Sequence, residues 1–179
     1  ELFLELRQIG KEAVQNVYVG INSEHVRTRL SRGISVIREQ DREIKLEDLE
    51  RAIQSSCSAK TTPNHKIVHT FVRDFLVDDI GDIQTPIGMT GNRLEVATLI
   101  VETYAPHIDL LADTLDRAGA SVGGIAFNPF AAARSALSKK QKELGVIMID
   151  FGFGTTSLVA FEENKPLYAK SFSLGASHL

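Results

Sequence analysis

The chain has no tryptophan, a single cysteine and no excess of positive charge, and each shortage narrows what it can be. One thiol, Cys57, cannot close an internal disulfide, so nothing in the sequence points to an oxidising compartment. With 20 Lys+Arg against 23 Asp+Glu, the net charge of −3 supplies neither the basic footprint of a nucleic-acid binder nor a polybasic membrane face. Apolar runs such as Val146-Ile147-Met148-Ile149 fall far short of the ~20 residues that cross a bilayer. The opening Glu1-Leu2-Phe3-Leu4-Glu5 has no positive n-region and no long apolar h-region, so it does not read as a signal peptide. What remains is 179 residues at 43% hydrophobic, the composition of a globular protein of one domain or two small ones.

Hydrophobic periodicity divides the chain. Leu2, Leu6, Ile9 and Ala13 fall on one helical face over residues 1–15, and a chain beginning inside such a helix reads as a piece of a longer one. Val17–Ile21 reads as a strand, as does Ile34–Arg38. Leu46, Leu49, Ala52 and Ile53 return to helical spacing, with Leu46, Leu49 and Ile53 expected in the core, although no Ser, Thr, Asp or Asn stands at the expected cap. Residues 66–78 are rich in β-branched and aromatic residues and predict a strand, residues 81–91 a long loop, and residues 94–103 a strand buried on both faces. A helix over Ile108–Ala118 is expected to end on a left-handed Gly119. A strand at Val122–Phe127 and an Ala-rich helix over residues 130–137 follow, and Lys139–Glu143 reads as a charged linker. From Val146 onward the pattern is purely β, with strands at 146–149, 157–161 and 167–172.

The segment Val146–Ser157 carries the chemistry: an apolar strand ends in Asp150, then a turn holds Gly152 and Gly154, then Thr155 and Thr156 open a second strand. Glycines without Cβ let backbone N–H groups approach phosphate oxygens and form an anion nest. A strand-end carboxylate can hold magnesium through the water shell that this ion retains. Gly-x-Gly is weak on its own, and the segment also reads as a plain hairpin whose glycines serve the turn and whose Asp150 faces solvent.

Asp150-Phe151-Gly152-Phe153-Gly154-Thr155-Thr156-Ser157 resembles the second phosphate-binding loop of the actin/Hsp70/sugar-kinase superfamily. Pro86-Ile87-Gly88-Met89-Thr90-Gly91-Asn92-Arg93-Leu94-Glu95 narrows this, together with Val17–Ile21, Ile67-Val68-His69, Asp116–Gly119, Glu143–Val146 and Ser173–His178. Together they resemble the FtsA family of bacterial cell-division proteins over essentially the whole chain. The resemblance implies an α/β architecture: a partial actin-like ATPase fold with an inserted α+β subdomain of strand-helix-strand-strand order. Residues 1–22 and 103–140 would be parts of the first actin-like subdomain, 23–102 the inserted interaction subdomain, and 141–179 the start of the second actin-like subdomain.

For the full-length protein the resemblance further implies ATP and magnesium, with Asp150, Gly152, Gly154, Thr155 and Thr156 at the nucleotide and Asp150 reaching the metal through water. It implies self-association into filaments, linkage of an FtsZ-like filament to the membrane, and recruitment of later division proteins. The location would be cytoplasmic, on the inner face of the cell membrane at the division site, with membrane attachment through a C-terminal helix that is not in this chain.

Three positions depart from the family pattern. Phe153 replaces a usual Gly, Ser157 replaces a usual Asp, and Asn128 stands where many relatives carry the acid that orients an attacking water. Asn cannot act as a base, so at most weak ATPase activity is expected in the full-length protein and none from this chain. The first phosphate loop and the adenosine-binding loop find no counterpart here, so half a nucleotide site is expected. Two other readings stand beside the division scaffold: an ATPase or kinase of the same superfamily, and a nucleotide-independent interaction module with a degenerate phosphate loop. His65 and His69 are spaced poorly for a shared zinc site, His25, His107 and His178 read as isolated, and Cys57 as a small buried apolar residue.

Overall fold

The computed structural model describes residues 5, 6, 8, 10, 12–38, 41–58 and 62–178. Of the residues expected to line the first helix, Leu2 and Ile9 lie outside these, Leu6 is helical, and Ala13–Gln15 forms a 3-10 turn. Strand β1 (Val17–Ile21) pairs in parallel with β6 (Val122–Phe127), Ile21 opposite Phe127. Everything between them is a long excursion. Strands β2 (Arg27–Val36), β3 (His65–Val77), β4 (Ile80–Ile83) and β5 (Arg93–Tyr104) form an antiparallel sheet in the order β2-β5-β3-β4. A further sheet, β7 (Val146–Phe151), β8 (Thr156–Glu162) and β9 (Lys165–Phe172), is an antiparallel meander.

The central position of β5 explains its composition. Flanked by β2 and β3 and covered on both faces, it buries Leu94, Val96, Leu99, Ile100 and Val101, as its unbroken apolar pattern predicted. Helix α1 (Leu46–Ser58) packs on one face of this sheet, and Gly33 of β2 lets it come close. A Cβ on Gly33 would lie 1.9 Å from the Ala52 carbonyl oxygen and 2.4 Å from the Ser56 nitrogen. Beneath α1, Ile37, Ile44, Ala52, Phe75, Val77, Leu94 and Val96 form a core that belongs to the excursion alone.

The start of α1 is capped from inside the helix. Asp48, in its first turn, accepts the Lys45 N–H at 2.9 Å and pairs with Arg51, which is the return half of a capping box. Leu46, expected in the core, is 56% exposed because it occupies the first position of the helix, whereas Leu49 and Ile53 pack as expected. The stretch read as a loop after residue 80 instead begins with the short edge strand β4. The inserted order is therefore strand-helix-strand-strand-strand. The first of those strands also begins at Arg27, earlier than hydrophobicity alone suggested, because Arg27, Arg29 and Arg32 interrupt its apolar pattern.

Helix α2 (Ala105–Arg117) ends as expected: Gly119 has φ 81°, its N–H reaches Asp116 O, and Ala120 N–H reaches Leu115 O. Helix α3 (Asn128–Ala136) follows β6 without a loop. The charged stretch after it is not a linker but helix α4 (Lys139–Leu144), closed by a capping box between Ser138 and Gln141. Glu163 and Asn164, both at positive φ, make the two-residue turn between β8 and β9.

A second core joins the three sheets. Val26, Val101, Phe127, Phe130, Ala133, Val159 and Ala169 are buried together, with Phe71, Leu137, Met148 and Phe161 against them. It therefore takes residues from the inserted sheet, from β6 and α3, and from the meander.

Candidate functional site

The β7–β8 hairpin pairs Asp150 with Ser157 and Phe151 with Thr156, leaving residues 152–155 as its turn. The Gly152 N–H closes this turn on the Thr155 carbonyl at 2.9 Å. Gly154 faces open space, with nothing within 4 Å of the position a Cβ would take. The Phe153 ring is 79% exposed and points away from the protein, so it leaves the backbone of the turn uncovered. Asp150 is half-buried, and among the described residues its carboxylate makes no hydrogen bond or ion pair.

The segment after β9 braces the turn from behind. Ala176 N–H donates to Gly152 O at 3.0 Å and Ser177 N–H to Phe153 O at 2.8 Å. Gly175 makes this approach possible, since a Cβ there would sit 2.4 Å from Phe153 O and 2.6 Å from Gly152 O. The Thr156 hydroxyl donates to Leu174 O at 2.6 Å, so its proton serves the brace. In the sequence Gly175 carries a single signal, a glycine within the run Ser173–His178 that resembles the family.

The hairpin meets the end of β1. Thr155 lines a cleft of about 450 Å³ with Gly20, Asn22, Glu24, His25 and Ser173. On the other side of Gly20 lies Asn128, whose Oδ1 would be 2.0 Å from a Cβ at that glycine. The fold thus gathers Asp150, Gly152, Gly154, Thr155 and Thr156 in one hairpin, brings Thr155 to the cleft that Gly20 also lines, and sets Asn128 against Gly20. Below the turn, Ser157 is fully buried and its hydroxyl bonds both Asn22 Oδ1 and the Ser171 hydroxyl, the latter at 2.7 Å. Asn22 was not singled out by sequence, because its partners lie more than a hundred residues away.

These residues fit a magnesium-bound phosphate in kind. The donor set contains one unpaired carboxylate, suited to an ion that keeps its waters, and a turn whose Gly154 allows close approach. Among the described residues, no group of three or more His, Cys, Asp or Glu could cage a metal directly.

The histidines differ from the expectation. His25 and His107 are not isolated: their ring centroids lie 4.9 Å apart, with Tyr104 within 5.8 Å of His25 and 5.2 Å of His107. His69 Nε2 accepts the Phe127 N–H at 2.9 Å, and its ring packs against Phe71 and Phe130. Burial holds the His69 pKa below its ordinary value of 6.5. Cys57 is half-buried, its Sγ 3.5 Å from Thr70 Oγ1.

The parallel β1–β6 pair, the long insertion between its strands and the hairpin at its end define a partial actin-like fold carrying an extra subdomain. A solved chain of a PilM–PilN type IV pilus biogenesis complex shares this fold, with a TM-score of 0.56 at 18% identity, covering 97% of this chain and 49% of that one. Residues 23–102 match the family model described as the SHS2 domain inserted in FTSA. The cell division protein FtsA of Pseudomonas aeruginosa is 31% identical over 159 residues, 89% of this chain and 38% of the relative. That of Borreliella burgdorferi is 30% identical over 166 residues, covering 93% and 40%. That of Bacillus subtilis is 28% identical over 166 residues, covering 93% and 38%. The chain belongs to the FtsA family of cell-division proteins, and it spans about two fifths of the length of these relatives. Among the described residues no helix is long and apolar enough to cross a membrane.

Proposed function

We propose that this chain is the part of an FtsA-type division scaffold that couples an interaction subdomain to half of an ATP site. Residues 23–102 form the subdomain that meets other division proteins, 1–22 and 103–140 belong to the first actin-like subdomain, and 141–179 open the second. In the full-length protein the hairpin at Asp150–Ser157 contacts the phosphates of magnesium-ATP. Gly154 and Thr155 supply backbone and hydroxyl donors, Gly152, whose own N–H closes the turn on the Thr155 carbonyl, shapes the loop at the phosphates, and Asp150 holds the ion's water shell. Magnesium supplies charge neutralisation for the phosphates when bound. The protein polymerises and ties an FtsZ-like filament to the cytoplasmic face of the membrane at the division site.

One observation carries this reading: the hairpin is braced from behind through Gly175 while its Gly154 side stays open toward solvent. A plain connecting turn needs no such brace. Hydrolysis is slow or absent, because Asn128 lies against Gly20 with an amide in place of a base. The alternative, an interaction module without nucleotide, is favoured by the exposed Phe153 and by the use of the Thr156 proton within the fold.

The test is Asp150→Ala in the full-length protein, with magnesium-dependent ATP binding followed by calorimetry. We expect affinity to fall about tenfold or more, equivalent to at least ~1.4 kcal/mol. Unchanged affinity would overturn the nucleotide role of the hairpin and favour the interaction module.

A further inference from the structure

We propose that the contact between the His69 imidazole and the Phe127 amide is a proton-gated latch that holds the inserted sheet against the body of the protein. His69 belongs to β3 of the inserted sheet, and Phe127 ends β6 and leads directly into α3. The hydrogen bond of 2.9 Å therefore crosses from the subdomain to the strand and helix that carry the chain on to the phosphate hairpin. Because Nε2 accepts, it has no proton of its own, and the neutral ring carries its hydrogen on Nδ1.

Protonation at Nε2 would turn the acceptor into a donor facing another donor. The Phe127 amide is then left without a partner in a place where its own side chain is fully buried, and the new charge sits among aromatic rings. The contact is lost whether the ring stays or swings out, and a ring that swings out also gives up its packing on Phe71 and Phe130, at centroid distances of 5.6 and 5.5 Å.

Among the described residues, the surroundings offer the imidazolium no compensating charge. Val101 lies opposite His69 on β5, and the charged residues of that strand are paired elsewhere: Glu102 with Arg29, and Glu95 with Arg93. On β3, Lys66 pairs with Asp109 of α2, and Arg73 and Asp74 lie further along, past a bulge in the strand. β6 carries no charged residue, and α3 carries Arg134, which is exposed. On β9, Lys170 lies over the Phe172 ring, and Lys165 starts the strand beside the turn. Burial alone accordingly sets the direction of the His69 shift.

Hydrogen–deuterium exchange of the full-length protein, read by mass spectrometry on peptides spanning residues 122–130 and corrected for intrinsic rates, tests the latch. Because the His69 pKa lies below its ordinary value, the series runs from about pH 7.5 to about pH 4, and over it we expect protection at Phe127 to fall about tenfold. His69→Gln keeps a carbonyl acceptor that does not titrate, and its protection should stay flat over the same range. His65→Gln and His107→Gln should behave as the unaltered protein does. Flat protection in the unaltered protein, or an equal fall in His69→Gln, would overturn the proposal. If His69→Gln fails to fold by circular dichroism, the ¹⁵N imidazole spectrum of the unaltered protein decides. An Nδ1–H tautomer at neutral pH supports the latch, and an Nε2–H tautomer or an imidazolium there overturns it.

Discussion

The Ser157 hydroxyl donates to Asn22 Oδ1, tying the strand that leaves the phosphate hairpin to the residue at which β1 hands over to the inserted sheet. Ser171 completes the contact, and the three groups read consistently as a chain in which Ser171 donates to Ser157 and Ser157 to Asn22. Both serines are buried, at 0% and 3% exposure, so water does not readily reach the Ser171 hydroxyl when Ser157 is removed, whereas Asn22 is half-buried at the cleft. Ser157→Ala should therefore destabilise the full-length protein by about 1–3 kcal/mol, the cost of a buried polar group left unpaired. Urea unfolding measures this. A change within error would show that the contact contributes nothing net.

Gly33 is where α1 touches the inserted sheet. Its missing Cβ would meet helix backbone, at the Ala52 oxygen and the Ser56 nitrogen, and not the flexible end of a side chain. Gly33→Ala should cost about 1–3 kcal/mol or more, since the helix must lift from the strand. A thermal melt within error of the parent protein would show that α1 can shift without loss.

The two glycines around the hairpin should behave in opposite ways. Gly175→Ala pushes a methyl group into the carbonyls of Gly152 and Phe153 and should release the brace, while Gly154→Ala enters open space. We expect Gly175→Ala to raise amide exchange across residues 152–155 and Gly154→Ala to leave it nearly unchanged. Equal behaviour of the two variants would refute the bracing role of Gly175.

Acid should weaken the protein through His69. Its pKa is lowered in the folded state, so the unfolded chain binds the proton more readily. The contribution of this residue is complete above the ordinary pKa of 6.5 and is lost progressively as the pH falls below it. A urea series from neutral to mildly acid pH should show this slope, and His69→Gln should reduce it. An identical slope in both proteins would assign the acid sensitivity to other groups.

Much of the fold was legible because its signals are local. The buried run from Leu94 to Val101 announced the central strand, and Gly119 announced the end of α2. Two further signals are equally local: Ser138 with Gln141 is a capping box, and Asp48 caps α1 from its third position. Strand β4 was hidden because four residues on an edge, broken by a bulge, leave almost no periodicity to read.

The sequence by itself determined the kind of hairpin at Asp150–Ser157 and the family pattern in which it sits, because strand, acid and glycine spacing are properties of adjacent residues. Tertiary structure alone decided what surrounds them. Asn22 meets Ser157, Gly175 backs the turn, Asn128 covers Gly20 and His69 receives the Phe127 amide. Each of these joins residues far apart in the chain, and a hydrogen bond or a close approach of that kind leaves no periodic trace in either segment. It exists only once the sheets have packed.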